Sequence, residues 1–397
     1  MDALLAYTGD WIQLAARWLH VTAAIAWIGA SFYFIALDLS LRPPRRDGAL
    51  DEGVGGEAWE IHGGGFYRVE KYRVAPKSVP APLAWFKWEA YTTWLSGFAL
   101  LVLLYYVDPT RFLMDPGHPL EPWALVASSI AILVAGWLAY DALARSIASD
   151  RELAVATVVL IVIVAAISGY LFSPRGAFIQ VGATLGTWMA ANVFFVIIPG
   201  QRALVAAAAA GGEPDPGPGL RGKQRSVHNN YLTLPVLFAM LSPHVPFTYG
   251  SANAWLVLIG FMALGALIRH VFNLRHQGRS LRAAIAGSAA MAILLFVALA
   301  PRDTGPAGLT AADFPAVQQV FVARCVTCHS AHPTHEGFTV APKGVQFDTQ
   351  RELVANARRA YEQAVVTKAM PLANVTGMTP EERELIGRWY RSGAPAP

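Results

Sequence analysis

The residues best suited to chemistry are Cys325, Cys328 and His329, spaced as Cys-Val-Thr-Cys-His. Two thiols two residues apart can each form a thioether to a haem vinyl group, while the adjoining imidazole falls beneath the iron. They are the only two cysteines in 397 residues. A structural zinc site wants four ligands, so two thiolates and one histidine fit it poorly. A dithiol redox motif belongs in a βαβ setting, which the surrounding sequence lacks. The opposite face of such a haem needs a further ligand. Met370, followed by Pro371, is the candidate, because a thioether opposite histidine is the cytochrome c pair and raises the potential. Met378 is the rival, and the bland alternative for any methionine is core filling.

The elements that must hold these groups are readable. Thr379 is placed as an N-cap, Pro380 at the first helical position and Glu382 to close a capping box. Together with an amphipathic helix leading into Cys325, and Leu385, Ile386, Trp389 and Tyr390 on the closing helix, residues 310–393 resemble a small class I cytochrome c. The expected division is a membrane domain over 1–303 and a cytochrome domain over 304–397.

The rest of the chain reads as membrane protein. Apolar residues make up 54% and charged residues 15%, against about a quarter charged in soluble domains, and the mean hydropathy is +0.38. Apolar runs able to cross a hydrocarbon core of about 30 Å number about eight. They lie near 11–39, 85–107, 122–140, 153–172, 181–206, 231–241, 252–270 and 281–300, the sixth being short and interrupted by Pro235. The expected fold is therefore all-α, a polytopic helix bundle followed by a small cytochrome. Loops after the odd-numbered runs hold most of the Lys and Arg, including Arg42, Arg68, Lys71, Arg145, Arg202, Lys223 and Arg275. The positive-inside rule makes those loops cytoplasmic and puts both termini outside, where c-type haem is attached in bacteria. The first apolar run is long enough to span, so no cleaved leader is expected. The basic pI near 9.1 is then a topology signal, and no basic, aromatic-interleaved patch points to nucleic acid.

Two cytoplasmic loops differ in kind. Residues 206–222 contain an alanine run and a Gly/Pro-rich stretch, the composition of a flexible linker. Residues 40–83 mix Trp59, Phe66 and Tyr67 with the run Gly63-Gly64-Gly65 behind His62, which argues for order and close backbone approach to a ligand. The glycine spacing matches neither a dinucleotide fingerprint nor a P-loop.

Four stretches carry a resemblance. Arg17-Trp18-Leu19-His20 with Ile25 to Tyr33, His62 to Tyr67, Trp85 to Tyr91, and His228-Asn229-Asn230-Tyr231-Leu232-Thr233-Leu234-Pro235 resemble the membrane-bound bacterial urate hydroxylases, in which an eight-helix domain carries a C-terminal cytochrome c. The resemblance covers nearly the whole chain. It implies oxidation of urate to 5-hydroxyisourate, with electrons leaving through the cytochrome to a periplasmic cytochrome or terminal oxidase, without peroxide, in the bacterial inner membrane. Nothing in periodicity or composition indicates urate itself.

A planar anionic purine needs cationic or N–H donors, a flat wall and a base. The cytoplasmic side supplies His62, Glu57, Glu89, Lys87 and His228 as the expected catalytic set, with Lys71, Asn229, Asn230, His270, Asn273 and His276 on the same side. Lys87 and Glu89 have an interfacial alternative, since charged groups at a helix entry often only snorkel. The distance to an outer haem suggests an additional b-type haem held by His20 and His244, against the plainer use of His20 as a helix-to-helix hydrogen bond. A histidine-bearing transporter with a fused electron carrier is the competing function. Urate-dependent haem reduction separates the two.

Overall fold

Apolar runs in a membrane satisfy their backbone only by closing hydrogen bonds internally, and the chain is accordingly mostly helical. A computed structural model describes residues 2–44, 53–115, 118–212, 214–250, 253–300, 308–335 and 338–397. The order is α1 (Asp2–Ser40), β1 (Val54–His62), β2 (Gly65–Tyr72), α2 (Trp88–Leu101), α3 (Pro109–Phe112), α4 (Pro122–Ser146), α5 (Asp150–Leu171), α6 (Pro174–Ala191), α7 (Ile198–Ala209), α8 (Gly217–Leu241), α9 (Ala254–His276) and α10 (Arg282–Ala298). The C-terminal helices are α11 (Phe314–Arg324), α12 (Gln350–Ala355), α13 (Ala357–Ala360) and α14 (Pro380–Arg391).

Each of the expected apolar runs falls on a helix. Among the described residues, five helices are long and apolar enough to cross a membrane: Tyr7–Ser40, Pro122–Ser146, Asp150–Leu171, Pro174–Ala209 and Ala254–His276. The remaining three differ for visible reasons. α2 gives way to a π-helical turn, Val102–Tyr106; α10 has 17 residues; and α8 extends far upstream of its apolar run, into Arg225, Asn229 and Asn230. α8 begins inside the stretch expected to be linker, and it runs through Pro235 without breaking. α9 meets it there at Gly265, where a Cβ would stand 3.1 Å from both the Leu234 Cβ and the Pro235 nitrogen.

Among the described residues, the all-α expectation fails at a two-stranded hairpin. β1 and β2 pair antiparallel with His62 opposite Gly65, and Gly63 and Gly64 both take positive φ, 56° and 81°, the requirement of a two-residue hairpin turn that favours glycine. The glycine run therefore closes a turn. Trp59, Phe66 and Tyr67, read as a sign of order, lie in this hairpin with their side chains exposed.

The two ends of the bundle carry different attachments. The hairpin joins the end where α1 and α9 finish: residues of β1, the last turns of α1 and His276 line one cavity. At the other end, α3 contacts the turn Leu372–Asn374, and the turn Pro246–Thr248 contacts Tyr361–Val366. A buried core of Phe314, Val317, Phe321, Leu353, Met378, Ile386 and Trp389 belongs entirely to the C-terminal segment, separate from the bundle core around Tyr140, Phe178, Trp188 and Leu258.

Candidate functional site

In the C-terminal segment, local bonds aim the side chains. α11 ends at Cys325, and the next turn closes through the His329 backbone N–H to the Cys325 carbonyl at 2.9 Å, putting both thiols and the imidazole on one turn. Both cysteines are free; burial, then the neighbouring Cys328, pushes the Cys325 thiol up to about 12. The His329 Nδ1 lies 2.9 Å from the Val345 carbonyl. A carbonyl only accepts, so Nδ1 carries the proton and Nε2 keeps its lone pair, the orientation a metal-ligating histidine needs. Met370 is held from both sides: its N–H donates to the Gln363 carbonyl at 2.9 Å, and its carbonyl accepts from Arg383 Nη1 at 2.7 Å. Its rival Met378 is buried in the core. α14 begins as expected, with the Thr379/Glu382 capping box in place and Pro380 in the first turn. Cys325, Cys328 and His329 are the residue types that would hold a covalently attached haem, and Met370 is the thioether that would be offered as a further ligand. Among the described residues, no group of three or more His, Cys, Asp or Glu is placed to hold a metal ion.

The expected catalytic residues occupy separate places. His62 is exposed beside the hairpin turn. Glu57 is buried in the hairpin and paired with Arg68 at 2.9 Å. Lys87 lies over the rings of Trp85 and Trp88 and lines a cavity of about 500 Å³ with Trp88, Tyr91, Phe194 and Arg202; Glu57 lines a different one, also about 500 Å³, with Tyr33, Trp59, Glu60 and His276. Glu89 sits in the first turn of α2, and its Oε2 is buried with no hydrogen-bond partner among the described residues. His20 is turned into the α1–α2 interface: Nδ1 lies 3.0 Å from the Thr93 carbonyl and 3.2 Å from Ser96 Oγ. Gly97 makes room for it, since a Cβ there would stand 2.8 Å from its ring. His244, the suggested second ligand, is exposed in the turn after α8.

His228 belongs to a buried polar layer that sequence reasoning had only in pieces. Tyr140 accepts from Asn192 Nδ2 at 3.3 Å, and its hydroxyl is hydrogen-bonded to His228 Nδ1, 3.0 Å away. Asn192 also donates to Asn229 at 2.8 Å, and it opens a π-helical stretch, Asn192–Ile197, between α6 and α7; such bulges recur at functional sites. Trp188 stacks on Tyr140 at 5.0 Å. Arg225 is buried against Tyr140 and paired with Asp141 at 2.7 Å. On the other side of α8, Asn273 Nδ2 donates to Asn230 Oδ1 at 3.0 Å, Tyr231 bonds His270 at 2.7 Å, and Arg269 stacks over Phe32 at 3.9 Å. The signal for this layer was the density of amides and arginines at positions 225–230, just upstream of the apolar run of α8, and at 269–273 inside the apolar α9.

Fold and site thus define a predominantly helical protein with, among the described residues, five candidate membrane-spanning helices, a polar layer inside its bundle and a small helical segment carrying the Cys-Val-Thr-Cys-His turn. The chain belongs to the urate oxidase N-terminal family, whose model matches residues 6–300. No curated protein and no solved structure matches it.

Proposed function

We propose that this protein oxidises urate to 5-hydroxyisourate in the bacterial inner membrane and passes the electrons to its own C-terminal cytochrome. The family match over 6–300, in one chain with a Cys-Val-Thr-Cys-His turn whose imidazole is oriented by Val345, is the observation that carries this reading. The balance is urate plus water giving 5-hydroxyisourate, two electrons and two protons, so oxygen is not consumed and no peroxide forms.

The chain's own residues have three tasks. Donors must hold the planar anion, and the buried layer around α8 is rich in amide and guanidinium N–H groups. A base must take protons from urate and from the attacking water; Glu89, with a buried and unpaired Oε2, is the carboxylate most free to do so. The site must also exclude bulk water, which burial of Asn192, Asn230 and Arg269 within the bundle supports. Cys325, Cys328, His329 and Met370 would hold a c-type haem, which would supply a one-electron acceptor for the two electrons released per urate. The Lys and Arg distribution supports a cytoplasmic hairpin end and an outer C-terminal segment, facing a periplasmic cytochrome or terminal oxidase.

The purified protein, oxidised and kept anaerobic, should develop reduced haem bands when urate is added. If urate leaves the spectrum unchanged while dithionite reduces it, the oxidation reading falls and a transporter with a fused carrier takes its place. A reporter after Pro397 should score as periplasmic, and one within 212–217 as cytoplasmic.

A further inference from the structure

Buried polar atoms are nearly always paired, because leaving one unpaired forfeits its hydration with no return. The face where α8, α9 and α1 meet breaks that rule several times in one place. Arg269 is 3% exposed, Asn230 0% and Asn273 4%. Arg269 Nε and Nη2, Asn230 Nδ2 and Asn273 Oδ1 have no partner among the described residues. The single bond between the two amides, Asn273 Nδ2 to Asn230 Oδ1, leaves the other donor and the other acceptor free. Arg269 and Asn273 are four residues apart on α9, hence on one face. The ring of Phe32 lies flat-contact distance, 3.9 Å, from the guanidinium.

We propose that this cluster is the seat of the substrate anion, a planar oxopurine such as urate. Arg269 provides the positive charge and two N–H groups in a planar fork, matched to a delocalised anionic edge. The free donor of Asn230 and the free acceptor of Asn273 match a lactam edge, in which a carbonyl and an N–H stand side by side. Phe32 provides a flat wall. A buried arginine without a counter-ion is costly by itself, and an anionic ligand supplies the missing charge. The entrance is the cavity of about 500 Å³ at the hairpin end, lined by Tyr33, Ala36 and His276. His276 follows Arg269 by seven residues, a rise of about 10 Å at 1.5 Å per residue, so the seat lies about two turns below the opening. This inference rests on the urate reading for the identity of the anion.

The test uses the full chain, chemically reduced so that it cannot turn urate over, with radiolabelled urate in equilibrium dialysis. Unmutated protein should bind; Arg269→Met should weaken binding by at least about 100-fold and Asn273→Ala by about 10-fold, as lost charged and neutral hydrogen bonds imply. Arg269→Met should also melt no lower than the unmutated protein, because it removes an uncompensated charge; a purely structural arginine would lower the midpoint. Benzoate, an anion without a lactam edge, should bind weakly and lose nothing in Asn273→Ala. Urate binding within twofold of normal in both variants overturns the site, and if Arg269→Met fails to fold, Asn273→Ala alone decides. Unmutated protein that binds urate when reduced, but whose oxidised form shows no haem reduction on urate addition, leaves the site standing and sinks the oxidation reading. Absence of binding sinks both.

Discussion

The bundle and the C-terminal segment treat buried polar groups in opposite ways. In the bundle, among the described residues, buried atoms without a partner recur at Glu89, Trp188, Asn192, Arg225, Asn230, Arg269 and Asn273. In the C-terminal segment, among the described residues, only Arg388 Nε is in that condition. Its half-buried polar groups are spent on the fold: Arg324 bridges Glu382 and the Thr376 carbonyl, Arg383 clamps the carbonyls of Ala364 and Met370, and capping boxes start α12 and α14. The difference separates two kinds of site. A covalently attached group is held by bonds of its own, so its surroundings only need to be rigid, whereas a ligand that comes and goes must be met by hydrogen-bonding capacity the protein has not already used.

The largest expected effect tests the rigid side. Cys325→Ala together with Cys328→Ala should abolish haem staining on a denaturing gel; staining that persists removes the haem assignment. Next, on the unspent side, Glu89→Gln should slow urate-dependent haem reduction by about 10²- to 10⁴-fold, the usual contribution of a positioned base, with haem content and dithionite reduction unchanged. A rate within a few-fold of normal shows that the base lies elsewhere.

Met370→Ala should leave haem attached but lower its midpoint potential, since the thioether is what raises it; an unchanged potential would assign the axial position to another residue. A smaller effect concerns pH. Burial alone would raise Glu382, but the Arg324 guanidinium and the Thr379 N–H hold it below the usual carboxylate range. Its contribution is therefore present above the ordinary glutamate pKa, about 4.3, and is lost as pH falls through the depressed folded value. Glu382→Gln should cost about 1 kcal/mol at pH 7 and flatten the acid limb of the haem-monitored melting curve; an acid limb identical to the unmutated one places that sensitivity in another group. Least affected should be His62→Ala, which changes an exposed side chain at a hairpin turn: urate-dependent reduction within about twofold is expected at a site free of functional contacts. A loss comparable to that of Glu89→Gln would move the chemistry onto the hairpin and reverse the contrast drawn between exposed and buried candidates.

What the sequence determined by itself was whatever depends on neighbours within about one helical turn. The Cys325 to His329 spacing, the Thr379, Pro380 and Glu382 start of α14 and the positions of the apolar runs are set by local geometry and composition, and each is found where the residues place it. The hairpin was missed although Gly63-Gly64 is a legible turn signal, because the same run also suits close approach to a ligand. The tertiary structure decided which polar groups meet. His20 finds Thr93, Tyr140 finds His228, and Asn230 finds Asn273, pairs separated by 73, 88 and 43 residues. Hydropathy counts Arg225 to Asn230 as too polar for a buried run, yet packing against neighbouring helices buries Arg225, Asn229 and Asn230. A side chain's one-dimensional pattern gives its type and its helical face. Whether its hydrogen bonds are spent or left for a ligand depends on the atoms that other helices bring to that face.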